Sequence, residues 1–226
     1  MNPCAHNDIS SRIDKTRKML KSCSLCPRNC SVNRLNGQTG YCKLDDKAYC
    51  FREMLGFNEE NELTPSHQIY FAGCNLSCEF CAVAEWNSGP DFINKMDVAT
   101  LAHTITKRKE EGSITLNLLG GEPSVSLLGI LQLLAKINSD VRVVWNSNMY
   151  FNPSVQDTLK GLVDIYLADL KCGNNKCAVT LLDAPDYLSV IRKNIREVGT
   201  ASDLIIRHLI LPGHYECCFE PSMRWI

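Results

Sequence analysis

Met1 to Ser10 is polar and lacks the apolar core of a secretion signal. No later apolar run is long enough to span a membrane. Basic residues form no long run, and the formal net charge is only -1. There is no internal repeat and no low-complexity segment. These absences argue against a membrane-spanning protein and a polyanion binder, so neither a membrane nor nucleic acid is an expected partner. The expected location is the cytoplasm. What remains is a neutral chain of 226 residues, 45% apolar and 22% charged, enough for one sizeable domain with a small appendage.

Cysteine is abundant instead, at 13 residues. Such a count arises where thiols pair in an oxidising compartment or bind metal in a reducing one. An odd number suits a disulfide framework poorly, and no signal peptide leads to an oxidising compartment. Metal binding is the expectation. Six of the thirteen lie at or before Cys50, in a part with few apolar runs apart from a short helix expected over Ile9 to Lys21. Residues 1–60 are therefore expected to form a Cys-rich metal-binding segment, and residues 61–226 a core.

The core alternates short apolar strands with amphipathic stretches. Strands are expected at Gln68–Ala72, Ser113–Leu119, Val141–Trp145, Val163–Leu170 and Leu204–Leu211. Helices are expected at Asp97–Lys109, from a Ser124 cap to Ile137, at Ser154–Leu162 and at Asp186–Val198. Alternation of this kind implies parallel pairing and an α/β fold, with right-handed crossovers. Pro221–Ile226 reads as the start of another helix. That is an odd place for an α/β unit to stop, and the chain is expected to be truncated.

Cys74, Cys78 and Cys81 follow the first expected strand as C-x3-C-x2-C. Three thiolates on one loop can bind three irons of a cubane [4Fe-4S] cluster, leaving the fourth iron open. A zinc site is the competing reading, although zinc in structural sites takes four closed ligands. Gly120-Gly121-Glu122-Pro123 follows the second strand. Paired glycines admit close backbone approach, and the exposed carbonyls and carboxylate can accept from an ammonium group. A plain strand-to-helix turn would use the same residues.

With Phe80 before the last cysteine, these motifs resemble the radical S-adenosylmethionine (SAM) superfamily, and within it proteins related to pyruvate formate-lyase activating enzyme. The resemblance covers most of the chain. It implies a partial (β/α)6 TIM-like barrel of which five strands are visible. It also implies a [4Fe-4S] cluster on Cys74, Cys78 and Cys81 whose open iron chelates SAM. Phe80 would pack near the adenine, and Gly120, Gly121 and Glu122 would hold the methionyl amino group. The implied activity is reductive cleavage of SAM to a 5′-deoxyadenosyl radical that abstracts hydrogen, in the manner of an activating enzyme acting on a protein or peptide. A flavodoxin- or ferredoxin-type donor would supply the electron. A catalytically incomplete redox carrier or scaffold is the alternative, since such cores usually close with a sixth strand.

Other strand ends carry polar groups. Asn146 and Asn148 are placed to bind ribose hydroxyls of SAM or to cap a turn. Activating enzymes often have an acidic residue where Asn146 stands. Asp169 and Lys171 alternate along the fourth strand, so they face one side, either near the active site or as an ion pair. Arg207 resembles a family arginine near SAM or substrate, and an inward arginine needs an anion. His208 would face away and be structural, while His214 follows the strand end. Cys23, Cys26, Cys30 and Cys42 form C-x2-C-x3-C-x11-C, suited to zinc or to a second iron–sulfur cluster. Cys50, Cys172, Cys177, Cys217 and Cys218 are expected to be buried thiols, with Cys217 or Cys218 in reach of the active site.

Overall fold

The computed structural model describes residues 3–89, 93–137 and 140–226, and the side chains from Asp8 onward. A helix α1 (Pro3–Lys21) opens the chain. It is followed by the cysteine-bearing turns and strand β1 (Cys50–Gly56). Five strands then alternate with helices: β2 (Ser66–Phe71), α2 (Val98–Glu110), β3 (Thr115–Gly120), α3 (Leu127–Leu134), β4 (Arg142–Ser147), α4 (Pro153–Leu159), β5 (Ile165–Asp169), α5 (Asn175–Leu182), α6 (Tyr187–Val198) and β6 (Asp203–Arg207). A π-turn at Tyr215–Phe219 leads into α7 (Glu220–Trp225). No described helix is long and apolar enough to cross a membrane.

The strands form one six-stranded sheet in the order β1-β2-β3-β4-β5-β6. β2 to β6 run parallel, and β1 pairs antiparallel with β2. The architecture is a partial TIM-like barrel. The five expected strands are β2 to β6, and β1 is a correction to that count. Its sequence, Cys-Phe-Arg-Glu-Met-Leu-Gly, has no clean alternation and most of its residues are half-buried, so it carries no strand signature. It is nevertheless fixed to α2, because Glu53 binds both Arg108 and the buried His67 of β2 (2.7 and 2.9 Å).

Two further expectations are corrected. Ser124 does not cap a helix: Pro123–Ser126 is a 3₁₀ turn whose cap is Glu122, accepting from the Ser124 amide. The α-helix proper starts at Leu127, with Ser126 before it making no side-chain cap. The second is α5, a helix in a stretch where no element is expected. Asn174 caps it by accepting from the Cys177 amide at 2.8 Å.

Period-two alternation splits the sheet into two faces. Ile69, Phe71, Leu116, Leu118, Trp145, Tyr166 and Ala168 point outward into the large core shared with the helices, which also takes Ile9, Leu20 and Leu25 from the N-terminal segment. Val144, Ile165, Leu167 and Ile205 face inward around Leu63. At the carboxyl ends of the strands the inner row becomes Tyr70, Leu119, Asn146 and Asp169, which line a cavity.

The turn after β4 is held from behind. Asn194 on α6 is buried and donates to the carbonyls of Met149 and Phe151, both at 2.8 Å. Asn194→Ala orphans both acceptors in the core. It should cost about 2 kcal/mol, read as a lower urea midpoint, and an unchanged midpoint would remove this role.

Candidate functional site at the strand ends

Cys74, Cys78 and Cys81 lie on the loop directly after β2, where parallel α/β sheets carry their chemistry. The loop is fixed at both sides. Ser77 and Glu79 donate their amides to Leu182 and Leu181 at the end of α5, each at 2.9 Å. Asn75 is buried and donates to the Tyr150 carbonyl at 2.5 Å.

The Gly-Gly pair is explained first by backbone proximity. Gly120 has φ +119, and a Cβ there would lie 2.3 Å from the Phe71 carbonyl oxygen. A Cβ on Gly121 would lie 2.2 Å from the Gly73 carbonyl oxygen and 2.3 Å from Asn87 Oδ1. No side chain fits, so the end of β3 lies flush against the start of the cysteine loop. The Gly121 and Glu122 amides donate to Phe71 and Gly73 at 2.7 and 2.9 Å.

Glu122 is fully buried and does not line the cavity. Its carboxylate accepts from the Ser124 amide (3.1 Å), the Ser147 hydroxyl (2.8 Å) and the Asn148 amide (2.8 Å). Burial pushes its pKa up, against the pull of these donors.

A cavity of about 310 Å³, at the lower end for small-ligand sites, is lined by all three cysteines together with Phe80, Gly120, Gly121, Asn146, Asn148, Asp169 and Lys171. A second space of about 390 Å³ shares the cysteines and reaches Tyr41 and Lys43. Within the first, Lys171 Nζ sits 2.7 Å from Asp169. Burial works against the lysine charge, yet Asp169, Cys78 and Cys74 outweigh it and hold the pKa above its usual value. The pair thus faces the cavity and is an ion pair at once. Asn148 accepts from the Tyr150 amide (2.8 Å) and donates to Asn75 Oδ1 (2.8 Å), so it shapes its own turn as well as lining the cavity.

Arg207 is not among the lining residues. It faces Glu60 with Nε and Nη2, both at 2.7 Å, and also binds Glu59. These acids lie between β1 and β2, so the anion that an inward arginine needs comes from the chain and ties the last strand to the first hairpin. His208 packs against Phe219 and bonds the Leu170 carbonyl, away from the cavity.

Fit to a cluster can be tested on the thiols. Burial pushes Cys78 up to about 11 and Cys74 higher still, so they become thiolates when a cation replaces the proton. Donors that favour thiolate are in place. The Leu76 amide and Asn148 Nδ2 approach Cys74 Sγ (3.4 and 3.7 Å), and Asn87 Nδ2 approaches Cys81 Sγ (3.6 Å). Asn87 Oδ1 is buried with no partner. The residues fit a ligand set of three thiolates with space on both sides. Asn87 and Tyr70 also line the cavity and carry no motif; only the alternation of β2 could have pointed to Tyr70.

Cys23, Cys26 and Cys30 lie on a turn closed by Cys23 N to Val32 O (2.9 Å) and Asn29 N to Cys26 O (3.0 Å), and the Tyr41 amide, next to Cys42, approaches Cys30 Sγ at 3.4 Å; Cys23, Cys26 and Cys42 are buried and Cys30 is half-buried. Burial raises Cys26 to about 12. Arg34 is buried beside them, binds the Asp45 and Val125 carbonyls, and favours the Cys42 thiolate.

Comparison with known proteins follows the same outline. The family model of the radical SAM superfamily matches residues 69–226. The uncharacterized protein MJ0674 of Methanocaldococcus jannaschii is 35% identical over 228 residues, covering 97% of this chain; the chain spans 66% of that relative's length. Among solved structures, SuiB of Streptococcus suis bound to the precursor peptide SuiA aligns with TM-score 0.54 at 17% identity, over 67% of this chain and 34% of SuiB. A further crystal structure of SuiB aligns at 0.52 and 18%, over 70% and 35%. This likeness concerns the fold.

Two outcomes follow from the geometry. Gly121→Ala should cost about 1–3 kcal/mol through overpacking, seen as a lower melting midpoint; no change would mean that the β3 end is not held against Gly73. Reconstitution with iron and sulfide should load about four irons at the trio, and Cys78→Ala should lose them. Equal loading of both proteins would dissociate the trio from iron.

Proposed function

The chain belongs to the radical SAM superfamily, and on that premise we propose that it is an enzyme that takes a hydrogen atom from a protein or peptide, in the manner of an activating enzyme. The observation that carries this reading is the convergence of Cys74, Cys78 and Cys81 on one cavity that Gly120, Gly121, Asn146 and Asn148 also line. The cluster and SAM, when bound, supply reductive cleavage to methionine and a 5′-deoxyadenosyl radical that abstracts hydrogen.

The chain's own residues do the rest. Cys74, Cys78 and Cys81 bind iron, while the amides of Asn148 and Asn87 steady two of the thiolates. Gly120 and Gly121 offer backbone to the methionyl end, and Phe80 an apolar face to the adenine. Asn146 and Asn148 offer amides to the ribose. Glu122 acts indirectly, by fixing the turns on which Gly121 and Asn148 stand. Lys171 puts a cation beside Cys74 and Cys78 and favours electron entry from a flavodoxin- or ferredoxin-type donor. Arg207 serves as a strut. A peptide-sized substrate is compatible with this fold, since SuiB holds a precursor peptide.

The test is oxygen-free incubation with reductant and SAM. The reconstituted protein should release 5′-deoxyadenosine, and Cys78→Ala should reduce release at least a hundredfold, about 2.7 kcal/mol in barrier. Release by Cys78→Ala at the parent rate would refute the cluster assignment. Deuterium from a labelled protein or peptide should appear in the 5′-deoxyadenosine; label transferred only from small molecules would refute the substrate class.

A further inference from the structure

The turn after β6 and the helix after β5 bring together four side chains that the cavity does not use. α5 supplies Cys177, and the π-turn region supplies His214, Cys217 and Cys218, with all four ligand atoms within 4.8 Å of one another. Cys177 Sγ lies 3.6 Å from His214 Nδ1 and 3.7 Å from Cys217 Sγ. His214 Nδ1 lies 3.3 Å from Cys217 Sγ, and the Sγ atoms of Cys217 and Cys218 are 4.0 Å apart.

These edges identify the kind of centre. A tetrahedral ion with metal–sulfur bonds of about 2.3 Å and metal–nitrogen bonds of about 2.0 Å has edges of roughly 3.8 Å between sulfurs and roughly 3.5 Å from sulfur to nitrogen. Four of the six edges scatter around those values, and the other two lie within 4.8 Å. A cubane cluster would spread its thiolates further, because each binds a different iron. A disulfide would bring two sulfurs to about 2.05 Å and leave the imidazole without a role. We propose that Cys177, His214, Cys217 and Cys218 form a closed Cys3His site for one tetrahedral zinc-class ion.

The surroundings are built for thiolates. Asn174 Nδ2 donates to Cys177 Sγ (3.1 Å), Cys218 Sγ (3.7 Å) and the Cys217 carbonyl (2.6 Å), the kind of outer contact that orients ligands. The wide turn explains how neighbouring cysteines share one ion. The amides of Cys218 and Phe219 both donate to the His214 carbonyl (3.0 and 3.2 Å), so the backbone coils around the ligand atoms. Gly173 admits the turn, since a Cβ there would meet the Cys218 carbonyl oxygen at 2.2 Å. Of the thiols expected to be buried, Cys218 is buried, while Cys177 and Cys217 are only half-buried.

The site staples the segment after β6 to α5. The other end of α5 holds the cluster loop through Leu181 and Leu182. The ion is a structural clamp one helix away from the radical chemistry.

Zinc and iron per polypeptide, measured on protein purified without oxygen, test the assignment. Cys177→Ser should lose about one zinc, in the parent and equally in a Cys26→Ser background, with iron unchanged. Cobalt loaded into Cys26→Ser protein should give the intense visible bands of a four-coordinate thiolate site. His214→Cys should keep the ion and shift those bands, which a misfolded variant would not do. Zinc unchanged by Cys177→Ser, absence of the cobalt bands, or an intact mass showing a Cys177–Cys217 disulfide would each overturn the site. None of these readouts depends on SAM cleavage.

Discussion

One buried carboxylate holds three strand ends together. Glu122 receives the Ser147 hydroxyl and the Asn148 amide from the end of β4, and its own amide donates to Gly73 at the end of β2. A charge in that position would be costly if unpaired, and three donors offset part of the desolvation. Every group that lines the cavity from β2, β3 or β4 stands within a few residues of this junction. The close passage of Gly120 and Gly121 past Phe71 and Gly73 is the steric half of the same constraint.

The N-terminal segment supports that junction from outside. Arg34 reaches the Val125 carbonyl beside the Glu122 turn, and Arg28 donates to the Asn75 carbonyl at 3.1 Å on the cysteine loop. β1 closes the near edge of the sheet, and Glu59 and Glu60 reach across to Arg207 on β6. Metal at the N-terminal cysteines would stiffen the wall of the second space, which Tyr41 and Lys43 line. The Cys3His clamp would do the same for α5. The cavity is thus held between two cysteine-rich regions, each belonging to a segment with little apolar core of its own.

Some of this was legible in one dimension. Strands β2 to β6 announce themselves by apolar runs, and the cysteine trio and Gly-Gly-Glu-Pro by spacing, because loop motifs keep their ligands within a few residues. β1 was not legible, since a half-buried edge strand has no alternation to read. α5 was hidden by its shortness, although Asn174 offers a regular helix-start signal.

The sequence by itself determined the parallel α/β order, the three-cysteine loop at a strand end, and the glycine pair one strand on, since each is a local pattern. Only the tertiary structure decided which polar groups face one another. It turned Glu122 from a lining residue into a buried anchor and gave Arg207 to Glu59 and Glu60. It also gathered Cys177 with His214, Cys217 and Cys218 across a gap of some forty residues. Ligand sets assembled from distant segments depend on how helices pack, and no spacing along the chain encodes that distance.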